Sequence, residues 1–429
     1  MIFKKLSPYF SRLGRYAKVD LNYLTSGSFW MGLNQFSSSL KSILIGVMFV
    51  NLFTQTDYGL FKFILALAAL FEVFLLRDTN LAVTQAVAKG EEGSYKSIVR
   101  FKSKWSRLYT LSLFLTAAYY YFLKDDSVIV FCLLSLGFFS PFTATFSTFR
   151  PFLEGKKAFS TLAFSNISIN IIEIITVLLT LWYTRSIVWV IGIRAVLNCM
   201  SHFLAYHYTL IRFRPSSGGE ADAISYGKQL TAVRVVGIFA GKLDTLLLFK
   251  YWGAATLAQY AVAQILPNQG YQFLKSFIQI LVPRLSETNM SSIKKQFYMR
   301  IGQSLIIGAF FVLIYWLIIP FAFKLLFPTY TGKIVFYAQI LSLDILFSLP
   351  IAFIGSVFIS QKLVRGIYIA NIVPSFVKIL LYLILGIKNG IEGMILAYLA
   401  SRLFTLFFDI LLWEYLLHRR SKLEPLRSQ

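Results

Sequence analysis

The side chains able to do chemistry in this sequence are polar and charged residues set at helical spacing inside long apolar runs. In one run Asn166, Asn170, Glu173 and Thr180 follow at steps of four, three and seven, which puts all four on one helical face. A later run carries Asn371, Ser375, Lys378 and Tyr382, and the offset that matches Asn166 to Asn371 also matches Glu173 to Lys378. Bases occur in other runs. Lys41 shares a face with Asn34 and Ser38, Arg77 with Asn80 and Thr84, and Arg194 with Asn198 and His202. Arg234, Gly241 and Thr245 share another, with Lys242 and Asp244 at its edges. Polar groups in an apolar medium are costly unless they face a partner or a cavity, so each stripe is open to two readings: a seam between helices held by amides and ion pairs, or the lining of a cavity. Arg402 and Asp409, two turns apart on one face, fit a structural pair, and adjacent Arg77 and Asp78 can each bind a neighbouring helix. With Arg402 the bases still outnumber the acids Glu72, Asp78, Glu173, Asp244, Asp344 and Asp409, so an enclosed cavity is expected to be net positive and to attract an anion.

Such residues need elements that hold them inside hydrocarbon. Of 429 residues 57% are hydrophobic and 14% charged, with mean hydropathy +0.66, whereas soluble domains carry about 25% charged residues. Apolar runs long enough to cross a bilayer as helices recur along the whole length, which predicts an all-α polytopic membrane protein. β-Barrels are excluded, because their strands are short and alternate in polarity. Twelve spans are expected, near 24–53, 60–87, 104–123, 127–152, 158–183, 186–209, 226–252, 256–283, 297–320, 334–360, 363–387 and 391–417. Aromatic pairs at several ends, such as Trp182 with Tyr183 and Tyr251 with Trp252, suit the interface.

The stretch 241–287 contains a lipid-length run, a short turn at 252–255 and a second run ending at Pro283 and Arg284, and 43–72 has the same order of events. Basic loops follow the second and eighth spans, and LEGKKAF and ISQKLVRG follow the fourth and tenth, with Lys157 matching Lys362. One six-helix unit used twice accounts for this, and an even number of spans gives both halves the same orientation. The expected domains are an N-terminal bundle over 1–211 that opens with a basic surface helix, a Ser, Gly and Pro-rich linker over 212–225, a C-terminal bundle over 226–418 and a basic tail over 419–429. Lys and Arg concentrate at both termini and in the even-numbered loops, which places both termini in the cytoplasm. The net charge of +23 is thereby an orienting signal, and no nucleic-acid partner is expected. Cys132 and Cys199 fall inside spans, away from disulfide chemistry.

No phosphate-cradling GxxxxGK[ST] loop, HExxH or paired-cysteine metal site occurs, and the only histidines are His202, His207 and His418. No cofactor is expected. The enzyme alternative, a membrane polysaccharide polymerase or glycosyltransferase, would present a sizeable extramembrane loop with catalytic acids or arginines, and the outward loops here are a few residues long.

Asp244 before an apolar run, the TLAQYAVA turn and the ILVPRLSE end resemble the second half of Wzx-type polysaccharide flippases, and the TQTDYGLF turn and LEGKKAF loop resemble their first half. These flippases belong to the multidrug/oligosaccharidyl-lipid/polysaccharide exporter superfamily. The resemblance implies two six-helix bundles that alternate between inward-open and outward-open states while moving an undecaprenyl-diphosphate-linked oligosaccharide, for O-antigen or exopolysaccharide, between leaflets. Its implied partners are membrane lipid, the lipid-linked anionic saccharide, a polysaccharide polymerase and a chain-length regulator. Lys41, Arg77, Arg194, Arg234, Lys242 and Lys378 are the positions expected to receive the anion, by polarity and helical face. Glu173, Asp244 and Asp344 are open to a coupling role with H⁺ or Na⁺, or to neutralising the bases beside them. Within the superfamily a MATE-type drug antiporter would line its cavity with acids and aromatics, and a lipid II flippase of the MurJ type would carry fourteen spans.

Overall fold

A computed structural model describes residues 21–216, 231, 234–279, 290–330, 332–361 and 363–423. The predicted surface helix at 1–20, most of the 212–225 linker and the end of the 419–429 tail lie outside these residues. Among the described residues there is no strand. The helices of the N-terminal half are α1 (Leu21–Leu52), α2 (Gln55–Leu70), α3 (Thr79–Ala88), α4 (Gly93–Lys124), α5 (Ser127–Phe146), α6 (Phe149–Gly155), α7 (Phe159–Thr184) and α8 (Ile187–Phe213). In the C-terminal half a helical stretch at 234–240 leads into α9 (Leu243–Gln279), followed by α10 (Met290–Leu326), α11 (Lys333–Ser342), α12 (Asp344–Ser360), α13 (Val364–Leu381) and α14 (Ile387–Leu423).

Eight of these helical segments have the length and hydropathy of a membrane crossing. The longest, Arg365–His418, counts as two because the chain turns at Gly390, whose φ is 57°. α9 likewise turns at Gly253, with φ 82° and ψ 174°, a conformation open to glycine and strained for other residues. The Tyr260 hydroxyl donates to Asp244 Oδ2 at 3.0 Å across that turn, so the two arms of α9 run antiparallel. With the two arms of α9, and α4, which has the length but a strongly basic first half, the crossings among the described residues number twelve, as the hydropathy pattern predicts. α4 begins eleven residues before the expected third span. The expected second span is not one helix. After α2 the chain tightens into a 3₁₀ turn (Phe71–Leu75), passes through Leu76 in the left-handed region and restarts at Thr79, whose hydroxyl donates to the Leu76 carbonyl at 2.7 Å. Arg77 and Asp78 stand in this break, where the Asp-Thr-Asn run offers the backbone local partners in place of the helical ladder.

α2 lies along α9 and joins the halves. Phe63 stacks on Phe249, with centroids 3.7 Å apart and planes 9° apart. A Cβ on Gly59 would stand 1.8 Å from the Ala254 carbonyl oxygen, so this backbone approach requires glycine. One apolar core, including Phe49, Tyr58, Leu248, Tyr260 and Phe323, spans both halves at this end. Beyond it each half keeps a core of its own, around Phe149 and Phe152 in the first and Phe297 and Trp413 in the second. The two bundles are thus fused at one end and parted at the other. Among the described residues one ion pair links them away from the fused end, Arg234 with Asp78.

Candidate functional site

Four cavities run through the parted region, each sharing charged residues with the next. The first, about 430 Å³, lies in the N-terminal half and is lined by Lys41, Glu72, Arg77, Arg150, Glu173, Arg194 and His202. Lys41 and Arg194 also line the central cavity, about 470 Å³, together with Lys62, Lys242, Thr245, Tyr260, Gln264 and Asn268. Lys242 continues into a cavity of about 240 Å³ with Asp244, Asp344, Lys378, Tyr398 and Arg402. Lys378 and Arg402 then border the fourth, about 310 Å³, with Asn371, Ser375, Thr405 and Asp409. Together the linings present eight bases, Lys41, Lys62, Arg77, Arg150, Arg194, Lys242, Lys378 and Arg402, against five carboxylates. The central cavity has four of the bases and no carboxylate in its lining.

The polar stripe of α7 divides between the two readings. Glu173 Oε2 accepts from Lys41 Nζ at 3.0 Å, and its Oε1 accepts from Arg194 Nε at 2.7 Å, so one buried carboxylate holds a base from α1 and another from α8 at the cavity edge. Asn166 and Asn170 line none of these cavities. Asn166 Oδ1 accepts from Arg150 Nε at 2.8 Å and Asn170 Nδ2 donates to Ser37 Oγ at 3.0 Å, which makes them seam residues that fix α6 and α1 against α7.

In the C-terminal half Asp344 Oδ1 accepts from Arg402 Nε at 2.9 Å and from Ser348 Oγ at 2.7 Å, while Oδ2 accepts from Tyr398 OH at 2.8 Å. Asp244 accepts the Thr245 amide at 2.7 Å as well as Tyr260. Lys378 Nζ stands 5.3 Å from the ring centres of both Tyr382 and Tyr398, close enough for the ring faces to stabilise the ammonium. Asn371 and Ser375 return their donors to backbone carbonyls of α13, at 2.7 and 2.6 Å, and face the fourth cavity.

Two sequence expectations are corrected here. Arg234 lines none of the four cavities: its guanidinium pairs with Asp78 of the other half, and its side chain is 63% exposed. The helical stretch that carries Arg234 ends at 240 and α9 begins at Leu243, so Gly241 and Thr245 are not on one helix with it. Arg402 pairs with Asp344 on α12 and not with Asp409, because the next helix brings a carboxylate closer than two turns along α14 do. Of the adjacent pair, Arg77 binds Glu72 at 3.0 Å while Asp78 binds Arg234.

Three cavity bases escaped the sequence reading. Lys62 sits four residues past Tyr58, in a turn region that reads as interface, and it enters the central cavity with its ammonium 5.2 Å from the Tyr58 ring centre. Arg150 reads as a loop-flanking charge, yet lines the first cavity. Arg402, whose helical face suggests a structural pair with Asp409, borders two cavities. The signal available for each was a basic residue inside a predicted span.

Comparison with known proteins bears on this geometry. A family profile described as "Polysaccharide biosynthesis protein" matches residues 24–289, well over half of the chain. No sequence among the curated proteins matches. Among solved structures, an outward-facing multidrug resistance MATE family transporter of the MOP superfamily is similar with TM-score 0.66 at 11% identity, over 94% of this chain and 96% of that one. The lipid II flippase MurJ in an inward closed conformation gives TM-score 0.58 at 13% identity, over 89% and 87%. A MOP superfamily transporter from Pyrococcus furiosus, whose binding pocket is described as having reverse polarity, gives 0.56 at 10% identity, over 91% and 95%. At these identities the similarity establishes the fold: a multi-pass, two-bundle membrane protein of MOP architecture. The sequence match establishes the rest, and the chain belongs to the polysaccharide biosynthesis protein family.

Proposed function

We propose that the protein is a flippase that carries a lipid-linked anionic oligosaccharide, attached through a diphosphate to undecaprenol, across the inner membrane by alternating access. The observation that carries this reading is the central cavity, where Lys41, Lys62, Arg194 and Lys242 converge with no carboxylate in the lining. Charge and hydrogen-bond donors in a low-dielectric recess favour phosphate oxygens, and Gln264 and Asn268 add amides suited to sugar hydroxyls. Lys62 and Lys242 have no ion-pair partner among the described residues, so their charge is available to a ligand. Family membership in polysaccharide biosynthesis supports a saccharide cargo. With both termini in the cytoplasm, as the distribution of Lys and Arg favours, the fused end lies outward and the parted end opens to the leaflet where the cargo is made. The chain works as a transporter without catalytic chemistry of its own, upstream of a polymerase and its chain-length regulator.

A second reading, a MATE-type antiporter of organic cations, draws on the C-terminal half, where Asp244 and Asp344 stand among Tyr260 and Tyr398. Against it, Arg402 already holds Asp344, and Lys378 and Arg402 already occupy ring faces that such a cation would use.

Reconstitution of the purified chain in vesicles tests both. A fluorescent short-chain polyprenyl diphosphate disaccharide should become accessible to an external quencher, and ethidium uptake should be absent. Cation uptake without lipid movement would establish the second reading. In cells, deletion should leave lipid-linked repeat units on the cytoplasmic leaflet and abolish the surface polymer. Single repeat units displayed outside would instead mark a polymerase.

A further inference from the structure

The carboxylates of the cavities are not equivalent. Glu173 holds two bases, Asp344 holds an arginine and two hydroxyls, and Asp244 accepts an amide and a phenol. Asp409 is the exception. It is 4% exposed, its Oδ1 has no hydrogen-bond partner among the described residues, and it borders the fourth cavity. The donors around that cavity are directed elsewhere: Ser375 and Thr405 give their hydroxyl protons to backbone carbonyls one turn back, at 2.6 and 2.7 Å, and Asn371 does the same with its amide. The charged groups facing it are Lys378 from α13 and Arg402 from α14 itself. Lys378 sits over tyrosine rings and Arg402 on Asp344, while α12 and the 234–240 stretch contribute Ile351, Gly355, Gly237 and Ala240, none of them titratable.

A carboxylate buried without a counter-charge or donor is expensive, and the neutral acid avoids that cost. We propose that Asp409 is a proton-binding site of the C-terminal half, loaded while its cavity is closed and emptied when water enters, and that this proton sets the charge offered to an anion in the adjoining cavities. A metal cation is a poor occupant, since two bases line the same space and no cluster of three His, Cys, Asp or Glu residues exists among the described residues. The C-terminal linings carry three bases and three carboxylates, and protonating Asp409 leaves an excess of one positive charge. By linkage, an anion that binds more tightly to the protonated protein must also tighten proton binding by the same factor. The first clause of the proposal is independent of the flippase reading, and the second rests on it.

Infrared difference spectroscopy of the purified full-length chain, without substrate, reads the first clause directly. Stepping the pH should change one protonated-carboxyl stretching band, which Asp409→Asn should remove, Asp409→Glu should shift, and Asp244→Asn and Asp344→Asn should leave in place. Asparagine copies the shape of the neutral acid, and the glutamate variant reports by band position if the amide fails to fold. A titrating band of full amplitude in Asp409→Asn, or no titrating carboxyl in the parent protein, would overturn the proposal. The second clause is read by calorimetry with inorganic diphosphate in two buffers of different ionisation enthalpy. Proton uptake on binding should be greater for the parent than for Asp409→Asn. Equal uptake would overturn the link to the anion site. Failure of diphosphate to bind, with the band intact, would remove the flippase reading and leave the proton site standing.

Discussion

The two halves repeat one scaffold, but the cavity linings of the first are net positive and those of the second are balanced. In the N-terminal half five bases, Lys41, Lys62, Arg77, Arg150 and Arg194, line the cavities against two carboxylates, Glu72 and Glu173. In the C-terminal half three bases, Lys242, Lys378 and Arg402, meet three carboxylates, Asp244, Asp344 and Asp409, among tyrosines. All of the excess positive charge therefore belongs to the first half. The equivalent stripes make the divergence concrete: Glu173 matches Lys378 in the repeat, so the same place on the same helix is an acid that gathers bases in one half and a base cushioned on aromatic rings in the other. A duplicated framework leaves each half free to diverge, and here the excess of bases lies in the first.

The most forceful way to break this contrast is Glu173→Ala. It strands Lys41 and Arg194 without their counter-charge, and loss of one member of a buried ion pair costs about 3–5 kcal/mol. Thermal unfolding in detergent should show a large fall in Tm, partly reversed by adding Lys41→Met. Asp409→Asn, which breaks no pair, should leave Tm nearly unchanged, and equal destabilisation by the two would erase the distinction between the halves. Next in size, Gly59→Val forces a side chain into the Ala254 carbonyl, and overpacking of this kind costs about 1–3 kcal/mol. Cross-linking yield between α2 and α9 should drop, and an unchanged yield would show that the halves do not meet there. Lys62→Ala and Lys242→Ala should each weaken diphosphate binding about tenfold, roughly 1.4 kcal/mol, with stability intact. Equal weakening by a residue remote from the central cavity, such as Arg300, would show only a general charge effect. Arg234→Ala is expected to do least, since exposed ion pairs contribute about 0–1 kcal/mol. Unchanged diphosphate affinity and normal expression would fit its place outside the cavities.

Helix count, the repeat and the polar stripes were legible because each follows from local periodicity: a run of apolar residues must be a helix in lipid, and residues three or four apart must share its face. Partnerships were not. Arg402 has a helical face that suggests Asp409, and Arg234 one that suggests a ligand, yet each bonds to a carboxylate elsewhere in the chain, Asp344 or Asp78. Periodicity fixes rotation about one axis and is silent about which helix lies alongside. The break at Leu76 had a visible cause in the Asp-Thr-Asn run that follows, but hydropathy reads through it because the flanking residues are apolar. Lys62 was hidden by its nearness to a turn, where a lysine normally reaches the interface; its entry into the central cavity depends on α2 lying against α9.

The stack of Phe63 on Phe249 and the bare contact of Gly59 with Ala254 have a consequence for the membrane as an electrical insulator. A recess that holds cations without a carboxylate beside them, such as Lys62 and Lys242, would, if open to water on both sides, conduct chloride and discharge the potential across the bilayer. The fused end sets a barrier of packed aromatic and apolar side chains in that path. That barrier, more than the charge of the recess, is the difference between a carrier and an anion leak.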